Sequence, residues 1–202
     1  FWYDCGGINQ LSISHTTHPN HMQKVLFILG ELNDDDIDWV IEVGKLKKVA
    51  ENTVLIQEGQ PIDTLYVLLK GKLTVSTIAS GGKEIAILAS GEIVGEMSFV
   101  DSRPPSATVR AIEPSLLLSL PRVDLATKLR QDIGFACRFY RALAVFLSNR
   151  LRVTVSQLGY NMTPTIGEDL PENGFSPETT DSIALARTRL DWLMRRLKGL
   201  EQ

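Results

Sequence analysis

The stretch GEMSFVDSRPPSATVRA, residues 95 to 111, decides the fold. It completes a turn that reads GEIVGE from residue 91, and it ends in ATVRA, which has the composition of a β-strand. Between turn and strand the chain passes from apolar to polar residues in a compact segment. This segment has the shape of a loop built to hold a phosphate, because free backbone N–H groups at a helix start and the local dipole favour an anion.

Short apolar runs separated by turn residues extend on both sides of this stretch, from Leu46 to Leu120. The runs are TVLIQEG, TLYVLLKG, KLTVSTIASGG, KEIAILASGE, ATVRAI and SLLLSL. Runs of this length, rich in Val, Ile and Leu and repeated about every ten residues, indicate a small antiparallel barrel or sandwich. Gly81-Gly82 gives the clearest hairpin signal, because both glycines tolerate a positive φ.

Helical patterns flank the strands. Asn33, followed by Asp34, Asp35 and Asp36, is typical of an N-cap with acids in the first turn, and it predicts a helix over about 34–44. A shorter helix is expected near residues 22–29. After Pro121, PRVDLATKLRQD predicts a short helix, and a longer one is expected from about 135 to 158.

Two apolar seams at steps of three and four residues mark the C-terminal part of the chain. The seam in the longer helix consists of Phe139, Leu143, Phe146, Arg150, Val153 and Gln157. It could lie on the barrel or pair with its copy in a dimer. Residues 159–180 are rich in Pro, Gly, Asn and Thr and are predicted to be a linker. The second seam predicts an amphipathic helix over 181–202 that docks on its own domain or on a partner, because it is too short to be stable alone. Its members are Ile183, Ala186, Leu190, Leu193, Leu197 and Leu200.

Composition sets broad limits on the class of protein. The chain has 202 residues and a formal net charge of -3, which suits one domain with extensions and gives no global attraction to nucleic acid or membrane. No apolar run approaches the length that crosses a bilayer, so membrane insertion is not expected. Cys5 and Cys137 lie far apart and follow no apolar signal segment, which favours a cytoplasmic location.

Residues 1–21 are predicted to be an extension that precedes the domain. His15, His18 and His21 would approach one metal ion only on a helix, and the Thr, Pro and Asn residues between them disfavour a helix. We therefore expect no metal site.

The order of helix, glycine-punctuated strands and two helices becomes specific in TVLIQEGQPIDTLYVLLKGKLTV and GEIVGEMSFVDSRPPSATVRA. These segments resemble the cyclic nucleotide-binding domain of the catabolite activator family and of the regulatory subunits of cyclic AMP-dependent protein kinase. The resemblance places such a domain over residues 22–158. It implies a mainly β fold, an eight-stranded jelly-roll-like β-roll with N-terminal helices and C-terminal B and C helices.

The resemblance also implies a phosphate-binding cassette that begins at Gly95. Gly95 would let the backbone approach the ligand, and Glu96 would accept a hydrogen bond from the ribose 2'-hydroxyl. Met97 and Ser98 would open a short helix whose N–H groups face the cyclic phosphate. The alternative reading of Glu96 is that it only caps a turn.

Pro105 departs from the family pattern. In the family, a phosphate-pairing arginine precedes a small-small pair, which is Ser106-Ala107 here. Proline supplies neither a cation nor an N–H group, so binding in the family's manner should be weak or absent. Arg103 could reach the anion instead, or it could be an ordinary surface charge, and Ser106 could still donate its hydroxyl and N–H.

Thr154, and with less support Arg150, would face the purine by resemblance. The leading hypothesis is a sensor domain, not an enzyme, that binds cAMP or cGMP and repositions its C-terminal helices. No paired carboxylates or nucleophile–base arrangement is expected to converge on the strands. A homodimer or another protein partner is expected to bind helices 135–158 and 181–202.

Two alternatives remain. A scaffold could retain the fold without the ligand, as Pro105 suggests. The second alternative is a transcription-factor-like regulator, for which Arg195 and Arg196 on the basic side of the last helix would contact nucleic acid. The residues after the long helix leave no room for a complete helix-turn-helix, so nucleic acid is not expected as a partner.

Overall fold

The computed structural model of the chain describes residues 30–159, 188–197 and 199. The predicted extension 1–21, its three histidines and the helix expected near 22–29 lie outside these residues. So do residues 160–187, which hold nearly all of the predicted linker. The proposed domain boundaries therefore stay predictions.

Two four-stranded antiparallel sheets form the body of the described part, and the predicted β-roll is confirmed. The strands are β1 (Lys45–Val49), β2 (Val54–Ile56), β3 (Thr64–Lys70), β4 (Lys72–Ser76), β5 (Glu84–Ala89), β6 (Ile93–Val94), β7 (Thr108–Ala111) and β8 (Ser115–Pro121). The first sheet has the order β1-β8-β3-β6 and the second β2-β7-β4-β5. Gly81 and Gly82 have φ of 70° and 78° and lie in the turn between β4 and β5, as the hairpin signal predicts.

Helices stand at both ends of the roll. They are α1 (Asp34–Val43), the short α2 (Glu96–Asp101), α3 (Arg122–Gln131), the long α4 (Ile133–Gly159) and α5, of which residues 188–197 are described. The predicted cap of α1 is present: Asp36 N–H donates to Asn33 Oδ1 at 2.8 Å, and Asn33 N–H donates to Asp36 Oδ2 at 2.9 Å. Asp132 separates α3 from α4 and accepts the Phe135 N–H at 2.8 Å.

Two apolar clusters result, because successive side chains of β3, β6 and β8 point to opposite faces of the first sheet. The cluster inside the roll contains Val49, Ile56, Tyr66, Leu68, Leu73, Leu88, Val94, Val109, Ala111 and Leu117. The other face of the sheet packs against helices. That second cluster contains Leu32, Ile37, Val40, Ile41, Leu65, Ile93, Leu118, Leu120, Leu125, Phe135, Phe139, Ala142, Leu143, Phe146, Leu190, Leu193 and Leu197.

The second cluster decides where the two seams lie. Phe139, Leu143 and Phe146 are buried in it, so the apolar half of the α4 seam packs on the barrel. The side chains of Val153 and Gln157 lie outside the described part. The α5 seam docks on its own domain through Leu190, Leu193 and Leu197. Among the residues described, no helix combines the length and apolar character that spanning a membrane requires.

Candidate functional site

The connection between β6 and α2 has a backbone that only glycine suits. Gly95 adopts φ of 89°, and a Cβ there would lie 2.8 Å from Ile62 Cδ1 and 3.1 Å from the Thr64 carbonyl oxygen. Glu96 then begins α2, the short helix predicted for the cassette, and Ser102 ends it in the left-handed region at φ of 58°. The glycine therefore brings the start of α2 directly against the first sheet.

Glu96 is buried, with 3% of its surface exposed, and it meets an arginine from the far end of the domain. Arg150 Nη1 of α4 donates to Glu96 Oε1 at 2.5 Å. Arg150 Nη2 donates to Glu92 Oε2 at 2.7 Å and to the Ile93 carbonyl at 3.0 Å. The guanidinium also lies over the Phe146 ring, 4.6 Å from its centroid. We call Glu92, Glu96 and Arg150 the charge cluster.

The charge cluster contains two carboxylates and one guanidinium, so it carries a negative charge when both carboxylates are ionised. Burial raises the pKa of Glu96, and the nearby Glu92 raises it further. Arg150 and the backbone N–H groups of Glu96 and Met97 lower this pKa, but they do not outweigh burial. With two carboxylates to one guanidinium, the cluster does not favour a phosphate, whereas a carboxylate oxygen can accept a hydrogen bond from a hydroxyl.

The place where the resemblance expects a phosphate-pairing arginine holds a buried proline. The Pro105 carbonyl accepts the Gly59 N–H at 2.8 Å, which anchors the segment to the β2–β3 connection. Ser106 is exposed and Ala107 is half-buried at the start of the next strand. No ionisable group stands at the Pro105 position itself.

Arg103 lies at the surface. Its side chain is 83% exposed, and its Nε lies 3.8 Å from Asp101 Oδ2. Its backbone N–H donates to Asp101 Oδ1 at 3.0 Å. This placement is that of a surface charge, and a phosphate-pairing role for Arg103 stays a prediction.

The other residues predicted for the site are divided between buried and exposed positions. Ser98 is buried on the inner side of α2, whereas 55% of Met97 is exposed. Thr154 is exposed, and its hydroxyl donates to the Arg150 carbonyl at 2.9 Å on its own helix. Arg150, the more weakly supported of the two α4 residues, is the one that reaches the cassette. Glu92 was missed, although the repeated Gly-Glu pair in GEIVGE was a signal for it.

Aromatic contacts connect the cassette to the C-terminal helices. The Phe99 ring of α2 meets the Phe139 ring of α4 edge-on, with centroids 5.9 Å apart. Arg122, the first residue of α3, lies over the Phe99 ring at 5.7 Å and donates from Nη2 to Ser102 Oγ at 3.1 Å. A displacement of α2 must therefore disturb contacts with both α3 and α4.

Comparison with known proteins agrees with this architecture. A family model described as the cyclic nucleotide-binding domain matches residues 46–132. The cyclic AMP receptor protein of Thermus thermophilus is 29% identical over 123 residues, which are 60% of this chain and 55% of the relative. A cAMP-dependent protein kinase regulatory subunit of Blastocladiella emersonii is 30% identical over 118 residues, which are 57% of this chain and 29% of the relative.

A solved structure shares the fold. The cyclic nucleotide-binding domain from Methylobacillus flagellatus superposes with a TM-score of 0.62 at 23% identity, covering 72% of this chain and 86% of that one. The fold is therefore that of this solved structure, and residues 46–132 match the cyclic nucleotide-binding domain family. The chain spans less than two thirds of the length of the two curated relatives, and Arg150 and α5 lie beyond the matched segment.

Proposed function

We propose that this chain is a regulatory module that binds a cyclic nucleotide, cAMP or cGMP, in the β-roll and reports its occupancy by a movement of α4. The observation that carries the proposal is the contact between Glu96 of the cassette and Arg150 of α4. Glu96 is the residue to which the resemblance assigns the ribose 2'-hydroxyl. A ligand that donates to Glu96 would compete with the residue that holds α4.

Such a competition satisfies the condition for signalling. A ligand shifts a conformational equilibrium only as far as its affinity differs between the two states. Here the states differ in whether Glu96 is paired with Arg150 or is available to the ligand. Phe99 and Arg122 extend the effect, since they tie α2 to the start of α3 and to Phe139.

The affinity should be low because Pro105 contributes no cation. A charge-assisted hydrogen bond typically contributes about 1.5–3 kcal/mol, or about ten- to a hundred-fold in affinity. Isothermal titration with cAMP and with cGMP tests this with Pro105→Arg, for which we expect about ten- to a hundred-fold tighter binding than in the unaltered chain. The Pro105 carbonyl that accepts the Gly59 N–H belongs to the backbone, so the substitution does not remove this acceptor.

Pro104→Arg is the control. This substitution adds the same charge one position away, at a residue that is exposed. Equal affinities of the two variants would contradict the assignment of the phosphate position. If neither the unaltered chain nor Pro105→Arg binds either nucleotide at millimolar concentration, the sensor proposal fails and the ligand-free scaffold replaces it. The absence of catalysis and the cytoplasmic location remain predictions.

We also propose that α4 forms a homodimer, through a face other than the predicted seam. Exposed side chains recur along it at steps of four, three, four and seven residues: Ile133, Cys137, Tyr140, Ala144 and Leu151. Leu151 is 63% exposed, so Leu151→Glu leaves the domain core intact. Light scattering should give a dimer mass for the unaltered chain and for Arg152→Glu, and a monomer mass for Leu151→Glu. A monomer mass for the unaltered chain refutes the dimer.

A further inference from the structure

Helix α5 covers the junction where α1, α4 and the first sheet meet. Leu190, Leu193 and Leu197 are 8%, 1% and 4% exposed and belong to the same apolar cluster as α1 and the first half of α4. The opposite side of α5 is solvent-facing, with Asp191 and Arg195 exposed. The helix therefore rests on the domain through these three leucines, with the partly buried Trp192 and Met194 packed beside them.

Arg189 fastens the beginning of α5 to the segment that enters α1. Its Nη1 donates to the Leu32 carbonyl at 2.5 Å and its Nε to Asp34 Oδ1 at 3.0 Å. The Arg189 side chain is only 12% exposed, whereas that of Asp34 is 81% exposed. The carbonyl contact is thus the more protected one, and it fixes the register of α5 against the domain.

A small apolar cavity of about 40 Å³ lies under α5. Leu190 and Leu193 form its wall on the α5 side, and Phe135 and Phe139 of α4 line it from the domain side. Phe139 also meets Phe99 of the cassette. A continuous set of packed side chains therefore runs from α2 through Phe139 to α5.

The docked helix has the properties of a reversible element. An isolated helix of this length is marginal in water, so α5 is helical because it is docked. The cavity means that its contact is not close-packed, which lowers the free energy of docking. Residues 160–187 join α5 to α4 along the chain, so a detached α5 stays covalently attached and can dock again.

We propose that α5 is an intramolecular lock. By covering Phe135 and Phe139, it holds α4 in the position where Arg150 pairs with Glu96. When α4 moves, α5 detaches. The proposal rests on the proposed function for the movement of α4, but the docking equilibrium of α5 can be measured without any nucleotide. Coupling between two sites is reciprocal. If the nucleotide weakens the docking of α5 by a certain factor, undocking of α5 strengthens nucleotide binding by the same factor.

The test uses the full chain with Leu193→Asp, and with Arg195→Asp as the control that places the same residue on the exposed side of α5. Hydrogen–deuterium exchange without nucleotide should rise in Leu193→Asp over residues 188–197, over the first two turns of α4 and over α2. Arg195→Asp should match the unaltered chain. A rise confined to residues 188–197 overturns the lock, because the cassette would not sense α5.

Titration with cAMP and cGMP forms the second measurement. We expect Leu193→Asp to bind the nucleotide at least about fivefold more tightly than Arg195→Asp does, which is within the usual range of coupling between sites. Unchanged or weaker binding overturns the lock. If no nucleotide binds any variant, the proposed function fails while the exchange result still decides whether α5 restrains α2. If Leu193→Asp does not fold, Arg189→Ala replaces it in both measurements. This variant keeps the apolar contacts of α5 and should show the same changes with a smaller magnitude.

Discussion

Arg138 and Arg150 both attach α4 to buried carboxylates of the domain, and they differ in the charge that each one meets. Near the start of α4, Arg138 binds Asp36 of α1 with two hydrogen bonds, from Nε at 2.6 Å and from Nη2 at 2.9 Å. Farther along, Arg150 divides its guanidinium between Glu92 and Glu96. The first contact joins one carboxylate to one guanidinium, and the second joins two carboxylates to one guanidinium.

The difference separates a structural contact from an adjustable one. Asp36 is 1% exposed and also accepts the Asn33 N–H, so its carboxylate is fully used, and its bond to Arg138 raises the pKa of that guanidinium. In the charge cluster, burial raises the pKa of Glu96 in spite of Arg150. The ionised form of Glu96 is therefore not fully compensated by Arg150. A ligand hydroxyl can donate a hydrogen bond to such a carboxylate at a small cost in free energy.

The largest effect that tests this comparison is expected from Asp36→Asn. The amide cannot offer two anionic oxygens, so Arg138 loses its bidentate partner and the cap of α1 is weakened. Arg138 is one third exposed and can regain water, so we expect a loss of about 2 kcal/mol in the free energy of unfolding. Urea denaturation measures it.

Asp35→Asn provides the control, because Asp35 occupies the same first turn but is exposed. Its loss should not exceed about 0.5 kcal/mol, the range of a dipole interaction at the surface. Equal losses for the two variants would mean that the Arg138 contact is not what stabilises α4, and the contrast between the two arginines would disappear.

The sequence predicted those structural features that depend on residues close together in the chain. The N-cap at Asn33, the glycine pair at the hairpin and the turn before Glu96 each follow from backbone preferences within a few residues. The charge cluster and the Arg138 contact do not, because they join residues 58 and 102 positions apart in the chain. Those pairings depend on how α4 lies across the sheet, which no local pattern specifies.

The α4 seam shows the limit in a single element. Its repeat correctly placed Phe139, Leu143 and Phe146 on one face, and Arg150 interrupted it as a polar residue at an apolar position. The pattern could not say that this interruption would meet two buried carboxylates. Likewise, the α5 repeat predicted an apolar stripe, but its docking site is made of residues from six other elements, α1, α3, α4, β3, β6 and β8.

The smaller and opposite effect is expected from Glu96→Gln, the same carboxylate-to-amide change in the other contact. Burial raises the pKa of Glu96 above its ordinary value of 4.5, so folding favours the protonated form relative to the unfolded chain. The associated stability is fully present below pH 4.5 and is lost as the pH rises through the folded pKa. Glutamine does not titrate and leaves Arg150 in a balanced pair with Glu92.

At neutral pH, Glu96→Gln should therefore be more stable than the unaltered chain by about 1 kcal/mol, and the difference should shrink as the pH falls to 4.5. Urea denaturation at a series of pH values measures both curves. Parallel curves would mean that Arg150 already compensates Glu96 fully, as Asp36 compensates Arg138. In that case a ligand hydroxyl would gain nothing by displacing Arg150, and α4 would be held equally firmly at both ends.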